Sequence, residues 1–326
     1  MRYEFESVLS LEMRGYLQLQ IDAGKSAASL RSTLNEFDRF LVERQLREKA
    51  LSEQVVTDFI AGKNITAATK ANIIGHLRGF SRYLASLKIY AEVPDAPIYR
   101  KSYSPYIFSD AEFSRMIRVC DSFEGNIKQD TYSSYVFPVL LRILYGCGLR
   151  LSEGLNLRFC DINLETGVIA IEIAKNNKQR RVPMNETLKE LLKTFRKCCE
   201  NREAFKVDDY LFASPRRGGK PYLQCSFAFW FGKILEKAEI PKLTLNRRER
   251  GICPHCLRHL FVHKSFLKSE AEGRKFDDTV PFLSEFLGHV SLYETEKYLQ
   301  KDYTLYESSQ NRVNAGIGGL FPKVVF

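Results

Sequence analysis

The sequence predicts a mainly helical protein that contains one small β-sheet and is organised in two domains. Apolar residues recur at helical spacing through most of the 326 residues, and a short β-rich stretch interrupts that pattern in the second half of the chain. Pro94 and Pro97 interrupt it earlier, since two prolines so close together discourage helix and are typical of a linker. We therefore expect a helical domain over residues 1–95 and an α+β domain over residues 105–326.

Four helices are predicted in the first domain, each with apolar residues along one face. Their expected spans are Leu9 to Ile21, Ala27 to Leu46, a short helix between Ser52 and Gly62, and Thr66 to Leu87. This pattern predicts a small helical bundle whose charged side chains face solvent.

The second domain is predicted to begin with helices. Ser109 and Glu112 have the spacing of a capping box, which indicates a helix start. The segment from Tyr135 to Leu144 is strongly apolar, so we expect it to be buried. From Asn185 to Leu299 the chain is predicted to be mostly helical, with loops at 206–222 and 240–255.

A β-hairpin is predicted between these helical parts. Leu164 to Gly167 is expected to form a turn, followed by strands over Val168 to Ile173 and over Arg181 to Met184. The segment that joins the two strands carries Lys175, Lys178 and Arg180 beside asparagines, which tolerate the backbone conformations of a tight turn.

Composition limits the classes of function. Hydrophobic residues make up 44% and charged residues 27%, which is typical of a globular protein. A net charge of +10 indicates a polyanionic partner. No apolar run approaches the roughly 20 residues of a membrane span, and the acidic first six residues do not resemble a signal peptide, so we expect a cytoplasmic protein. The eight cysteines are accordingly expected to be reduced thiols.

Four separate fragments contain residues suited to phosphate chemistry. They are Gly148 to Glu153, the hairpin with Lys175, His255 to His259, and Leu287 to His289 followed nine residues later by Tyr298. His255 and Arg258 are three residues apart on a predicted helix, so they share one face close to its N-terminus. A helix N-terminus with nearby cations favours phosphate binding.

Together these fragments resemble the tyrosine recombinase, or phage-integrase, family. The resemblance rests on Arg150, Lys175, His255, Arg258, His289 and Tyr298, which stand in the family's order and spacing. The family's G-L-R-x-S-E appears as Gly148 to Glu153, and its L-G-H appears as Leu287 to His289. The resemblance covers the whole second domain. The first domain is similar to the family's helical, SAM-like core-binding domain only in its length and its helical pattern.

The resemblance implies a role for each residue. Tyr298 attacks the scissile phosphate of duplex DNA and forms a 3′-phosphotyrosyl link. Arg150 and Arg258 hold the non-bridging oxygens, and His289 donates a hydrogen bond to the phosphate. Lys175 protonates the departing 5′-oxygen, and His255 helps to deprotonate the tyrosine. Glu153 is expected to be structural and to hold a neighbouring side chain in place.

The resemblance also implies how the protein works with its partners. Such enzymes clamp double-stranded DNA between two domains and act as homotetramers on paired sites. When free they are monomers or weak oligomers, and accessory DNA-bending proteins are a further expected class of partner. The covalent link conserves the bond energy of the phosphodiester, so no metal, nucleotide or other cofactor is expected. A membrane is not expected as a partner either.

Several alternatives stay open at the level of individual residues. Lys178 could replace Lys175 as the acid, because glycine often flanks that lysine in the family and Ala174 and Asn176 stand here. Tyr303 is the second candidate nucleophile. A zinc site is a minor alternative, formed by Cys253, Cys256, His259 and His263. The apolar tail from Ile317 to Phe326 is expected to pack on its own domain or on a neighbouring protomer.

Two other functions are compatible with the same fold. A type IB-like topoisomerase would share the chemistry without exchanging partners between duplexes. A DNA-binding regulator would need only affinity for DNA, and the complete set of six residues argues against that function because binding alone does not require both Tyr298 and Lys175.

Overall fold

A computed structural model describes residues 4–95, 105–122, 131–172, 179–200, 206–241, 251–274 and 276–289, together with 291, 292 and 295. The chain divides into two compact units, residues 1–103 and residues 104–326, and each is described by itself. Among the described helices, none is long and apolar enough to cross a membrane.

The first unit contains the four predicted helices. They are α1 (Ser10–Asp22), α2 (Ala28–Glu43), α3 (Glu53–Ala61) and α4 (Ala67–Ser86). Leucine and aromatic side chains from all four helices form its core, and the most deeply buried include Met13, Phe37, Leu41 and Phe80. The helix predictions are confirmed, except that α2 ends at Glu43, three residues earlier than expected.

The second unit contains seven described α-helices and one small sheet. The helices are α5 (Asp110–Asp121), α6 (Thr131–Gly146), α7 (Leu151–Leu155), α8 (Glu186–Glu200), α9 (Gln224–Lys237), α10 (His255–Ala271) and α11 (Phe276–Leu287). The capping box of Ser109 and Glu112 at the start of α5 is confirmed. The mainly α fold class with a small sheet is likewise confirmed.

Helix α6 lies at the centre of this unit. Its side chains from Val136 to Leu144 are mostly buried, and it packs against α8 and α10. The expectation that Tyr135 is buried was wrong, because its side chain lies on the solvent side of the helix and is 69% exposed.

The sheet has three antiparallel strands in the order β1 (Ile162–Asn163), β2 (Val168–Ile171) and β3 (Arg180–Pro183). Both predicted strands are confirmed, and β2 ends two residues earlier than expected. The two-residue strand β1 was not predicted, because a segment so short shows no periodicity. Gly167 has a φ of 69°, which suits the tight turn before β2.

Candidate active site

Two loops and one helix start bring the described candidate residues together. Arg150 precedes α7, His255 and Arg258 lie in the first turn of α10, and His289 follows the end of α11. Nη2 of Arg258 lies 2.9 Å from Nε2 of His289, and Arg150 and His255 are near enough to lower the pKa of His289, so residues from three separate parts of the sequence share one site. Lys175 and Tyr298, with the alternatives Lys178 and Tyr303, lie outside the described residues.

Arg258 is the most deeply buried member of the site. Its side chain has 0% exposure, and its Nη1 donates to the carbonyl oxygen of Gly148 at 2.7 Å. Its Nη2 donates to the carbonyl oxygen of Leu287 at 2.8 Å. Arg258 therefore joins α10 to the loop before α7 and to the end of α11. This arrangement fixes its guanidinium plane before any DNA is present.

The loop before α7 requires a glycine at position 148. Its φ of 58° lies in the left-handed region, which glycine adopts at little cost. A Cβ atom at this position would stand 2.5 Å from Cδ1 of Phe261 on α10. Both the conformation and the close helix contact require glycine, and together they aim the Gly148 carbonyl at Arg258.

Glu153 is the negative centre of the site. It is 2% exposed and accepts hydrogen bonds from the backbone N–H of Arg150 at 3.0 Å and from Nη1 of Arg150 at 2.8 Å. Nη2 and Nη1 of Arg180 donate to its two oxygens at 2.8 and 3.2 Å. Nη1 of Arg258 lies 4.0 Å from Oε2. The sequence had indicated that Glu153 holds one neighbour, and the structure shows a carboxylate shared by several arginines.

These contacts keep Glu153 ionised. Burial on its own would raise the pKa of the carboxyl group, but the hydrogen bonds and charges of Arg180 and Arg150 outweigh it and lower the pKa to about 2. The arginines are consequently held by a full negative charge throughout the physiological pH range.

His289 connects Arg258 to Thr295. It is 3% exposed, and its Nε2 lies 2.9 Å from Nη2 of Arg258 while its Nδ1 lies 2.7 Å from Oγ1 of Thr295. Because arginine can only donate, Nε2 must accept, and the proton of the neutral ring stands on Nδ1 and is donated to Thr295. Thr295 precedes Tyr298 by three residues, so His289 links Arg258 to the segment just before the expected nucleophile.

The imidazole of His289 is held in its neutral form. Burial lowers its pKa most, and the charges of Arg258, Arg150, Arg180 and His255 lower it further, to about 3. An imidazolium at this position would face several cations, so the ring remains neutral while the arginines stay charged.

The depressed pKa of His289 predicts a pH-dependent stability. In the unfolded chain the ring takes up a proton near pH 6.5, whereas in the folded protein it does so only near pH 3. Stability from this group is therefore fully present above pH 6.5 and is lost as the pH falls towards 3. We expect the free energy of unfolding to fall less between pH 6.5 and 4.5 in His289→Gln than in the wild type. Urea unfolding at both pH values measures this, and equal slopes for the two proteins would contradict it.

His255 occupies the first position of α10 and is half-buried. Its ring packs edge-on against the ring of His259 with 4.9 Å between centroids. The sequence placed His255 and Arg258 on one face, and the structure separates their environments: Arg258 is enclosed, and His255 remains partly accessible at the helix N-terminus. An accessible imidazole at this position suits proton exchange with a substrate group.

The zinc alternative receives no support from the residues that the structure describes. Among them no group of three or more histidine, cysteine, aspartate or glutamate residues is placed to hold a metal ion. Cys256 is buried in the apolar core, and none of the eight cysteines, all of which lie in the described part of the chain, forms a disulfide.

Two residues of the site were not identified from the sequence. Arg180 was interpreted only as one cation of the hairpin, and Thr295 was not singled out. A signal for Arg180 existed, since it stands two residues before Val182 and residues two apart along a strand share a face, but the predicted strand began one residue later, at Arg181. Val182 faces the core, and Arg180 points the same way. No comparable signal marked Thr295.

An open groove of about 720 Å³ lies beside the site. Arg180, Arg181, Phe282, His289 and Leu292 are among the residues that line it. It exposes cationic and apolar side chains next to His289.

Comparison with known proteins identifies a family and several proteins of similar sequence or fold. Residues 108–304, more than half of the chain, match the model of the phage integrase family. Tyrosine recombinase XerD of Pseudomonas putida is 28% identical over 280 residues, which cover 83% of this chain and 84% of that protein. The structure of XerH site-specific recombinase bound to a palindromic difH substrate, a post-cleavage complex, has a similar fold. It gives a TM-score of 0.64 at 22% identity and covers 87% of this chain and 78% of that chain. A lambda integrase dimer bound to a COC′ core site gives a TM-score of 0.58 at 15% identity, covering 90% and 94%.

The fold and the family match together define the class of protein. The chain belongs to the phage integrase family. It is a tyrosine recombinase, an enzyme that breaks and rejoins DNA.

Proposed function

We propose that this protein is a site-specific recombinase that cleaves duplex DNA with Tyr298 and rejoins it to a partner strand. One observation carries the assignment of the reacting site. Nη2 of Arg258 lies 2.9 Å from Nε2 of the buried His289, and Arg150 and Arg258 lie beside the same carboxylate of Glu153. Burial and the positive charges around His289 lower its pKa to about 3. A field of that sign is suited to a phosphodiester, which is negative and becomes more so at the transition state.

In the proposed cleavage step the Tyr298 oxygen bonds to phosphorus and the bond from phosphorus to the 5′-oxygen breaks. The products are a 3′-phosphotyrosyl link and a 5′-hydroxyl, whose proton comes from Lys175. A tyrosine of pKa about 10 is only about 0.1% ionised at pH 7, so deprotonation needs help, and His255 is the proposed base. Attack of a different 5′-hydroxyl reverses the step onto a new strand.

The two arginines are proposed to stabilise the charge on the non-bridging oxygens. Guanidinium binds phosphate through two parallel N–H groups and remains charged at all relevant pH values. The side chain of Arg150 is 20% exposed, whereas the guanidinium group of Arg258 donates hydrogen bonds to the Gly148 and Leu287 carbonyls. Arg150 is therefore the more accessible arginine and Arg258 the more rigid one.

His289 is proposed to change its hydrogen bonds when DNA binds. A phosphate that accepts from Nη2 of Arg258 competes with Nε2 of His289 for that donor. To donate to the phosphate itself, His289 must carry its proton on Nε2. The hydroxyl of Thr295 permits this, because Oγ1 can donate to Nδ1 as well as accept from it.

Double-stranded DNA is the proposed partner, clamped between the core-binding domain of residues 1–95 and the catalytic domain of residues 105–326. The net charge of +10 supports this partner. We further propose a homotetramer on paired sites, a monomer or weak oligomer in the absence of DNA, and assistance from accessory DNA-bending proteins. Affinity for non-specific DNA should fall steeply as the salt concentration rises.

The proposal is tested with nicked suicide duplexes tiled across the DNA that flanks the gene. Cleavage beside a nick releases a short fragment and traps the enzyme, so an SDS-resistant adduct reports strand cleavage. A second assay mixes two duplexes of different length and scores joined products. Adducts with joined products support a recombinase. Adducts and relaxation of supercoils without joined products would indicate a topoisomerase, and a gel shift without adducts would indicate a DNA-binding regulator.

A further inference from the structure

Arg180 lies at the start of β3, with its side chain turned towards the active site. It pairs with Ile171 across the sheet, and its side chain is only 6% exposed. The next residue, Arg181, points to the other side of the strand and is exposed. Two adjacent arginines in one strand therefore have opposite environments, and burial of an arginine is costly unless its charge and N–H groups are satisfied.

Three N–H groups of Arg180 are directed at two different elements. Nη2 and Nη1 donate to the two oxygens of Glu153 at 2.8 and 3.2 Å, and Nε donates to the carbonyl oxygen of Phe286 at 2.8 Å. The same Glu153 carboxylate accepts from Nη1 of Arg150. Arg180 thus fixes the carboxylate that in turn orients Arg150, and it also fixes the last turn of α11.

Arg180 also packs directly against the residue before His289. A Cβ atom at Gly288 would stand 3.0 Å from Nη1 and 3.1 Å from Cδ of Arg180. Gly288 has a φ of 65°, so glycine is needed there both for the backbone turn and for this close approach. The position of His289 consequently depends on the Arg180 side chain beneath the loop.

We propose that Arg180 is a positioning residue for DNA cleavage, which aligns Arg150 through Glu153 and sets the loop of His289 through Phe286 and Gly288. This inference rests on the proposed function. Arg180 acts through its neighbours and does not itself contact the phosphate. It also anchors the chain five residues after Lys175, the proposed acid. Lysine cannot replace it, because one ammonium group cannot donate along the fixed, divergent directions of a guanidinium.

The test compares Arg180→Lys and Arg180→Ala with Lys268→Ala, which removes an 80% exposed cation outside the groove, as the control. Cleavage rates are measured on the suicide duplex at saturating DNA, so that differences in binding do not contribute. Since a displacement of about 1 Å can cost on the order of 100-fold in rate, we expect a loss of about 100-fold in Arg180→Lys and at least as much in Arg180→Ala. Lys268→Ala should stay within about threefold of the wild type.

A modified substrate separates positioning from a general loss of structure. A methylphosphonate at the scissile position removes one negatively charged oxygen, so correct alignment of the arginines matters less. The deficit of Arg180→Lys relative to the wild type should shrink from about 100-fold to less than about tenfold on this duplex. Thermal unfolding is recorded for every variant, and rates are compared below the lowest transition.

Either of two outcomes would overturn the inference. One is a rate for Arg180→Lys that matches Lys268→Ala, and the other is an equal deficit on phosphate and methylphosphonate duplexes. Failure of the proposed function is distinguishable, because the wild type itself would then form no adduct on the unmodified duplex.

Discussion

Replacing Arg258 with lysine is expected to lower the rate of DNA cleavage by about 10³-fold or more, the order of magnitude found for arginines that stabilise phosphoryl transfer. The substitution keeps the positive charge but removes the planar set of N–H donors of the guanidinium group. The Arg258 guanidinium donates to the Gly148 and Leu287 carbonyls and to Nε2 of His289. A lysine ammonium cannot maintain these contacts and also offer two parallel N–H groups to a phosphate.

Single-turnover cleavage at saturating DNA measures this effect without a contribution from binding. The control is Lys268→Ala on the same helix, α10, where the side chain is 80% exposed and lies 3.9 Å from Glu272. This control should cleave at nearly the wild-type rate. An Arg258→Lys enzyme that retained more than a tenth of the wild-type rate would show that charge alone is sufficient and that the rigid arginine is not required.

Replacing Glu153 with glutamine is expected to cause the largest loss of stability among conservative substitutions in the site. The carboxylate is 1% exposed and compensates Arg150 and Arg180, with Arg258 at 4.0 Å. Removing one partner of a buried ion pair costs about 3–5 kcal/mol, because the remaining charge is left without compensation. Urea unfolding of the wild type and Glu153→Gln measures the difference.

The pH dependence identifies the cause of that loss. Glu153 has a folded pKa of about 2, below the usual value of 4.5, so its contribution is present above pH 4.5 and is lost as the pH falls towards 2. The difference between wild type and Glu153→Gln should accordingly shrink below pH 4.5. Glu186→Gln is the control, since Glu186 pairs with Lys189 but is 80% exposed and should change stability by less than about 1 kcal/mol. A Glu153→Gln protein as stable as this control would refute the ionic role.

Local patterns in the sequence predicted most of the fold. Helical periodicity located α1 to α4, and the Ser109–Glu112 capping box located the start of α5. These features depend on neighbouring residues alone, which is why they can be derived from a single chain. The strand β1 escaped prediction because two residues carry no period, and the exposure of Tyr135 escaped it because an apolar run does not reveal which face meets solvent.

The sequence predicted which described residues form the candidate site, but not the contacts among them. The resemblance to a family supplied Arg150, Arg258 and His289, and it did not indicate that Arg258 is enclosed by the Gly148 and Leu287 carbonyls. Those contacts join segments 110 and 29 residues apart in the chain. They depend on how α10 packs against two glycine-containing loops, which no local pattern specifies.

The tautomer of His289 follows from geometry of the same long-range kind. It depends on Arg258 donating to one ring nitrogen and on Thr295 standing at the other. Sequence alone identifies a histidine suited to a phosphate site, whereas the structure adds which nitrogen carries the proton before DNA binds. That proton must move between the nitrogens if His289 is to donate to the substrate.

The most direct test of the central claim is the identity of the nucleophile. Wild type, Tyr298→Phe and Tyr303→Phe are incubated with a suicide duplex that the wild type cleaves, and the trapped DNA–peptide adduct is mapped by mass spectrometry. Gel shifts verify that all three proteins bind the duplex. We predict adducts for the wild type and Tyr303→Phe, with the nucleotide attached to Tyr298, and none for Tyr298→Phe. An adduct formed by Tyr298→Phe, or a nucleotide attached to a different residue of the wild type, would contradict the account.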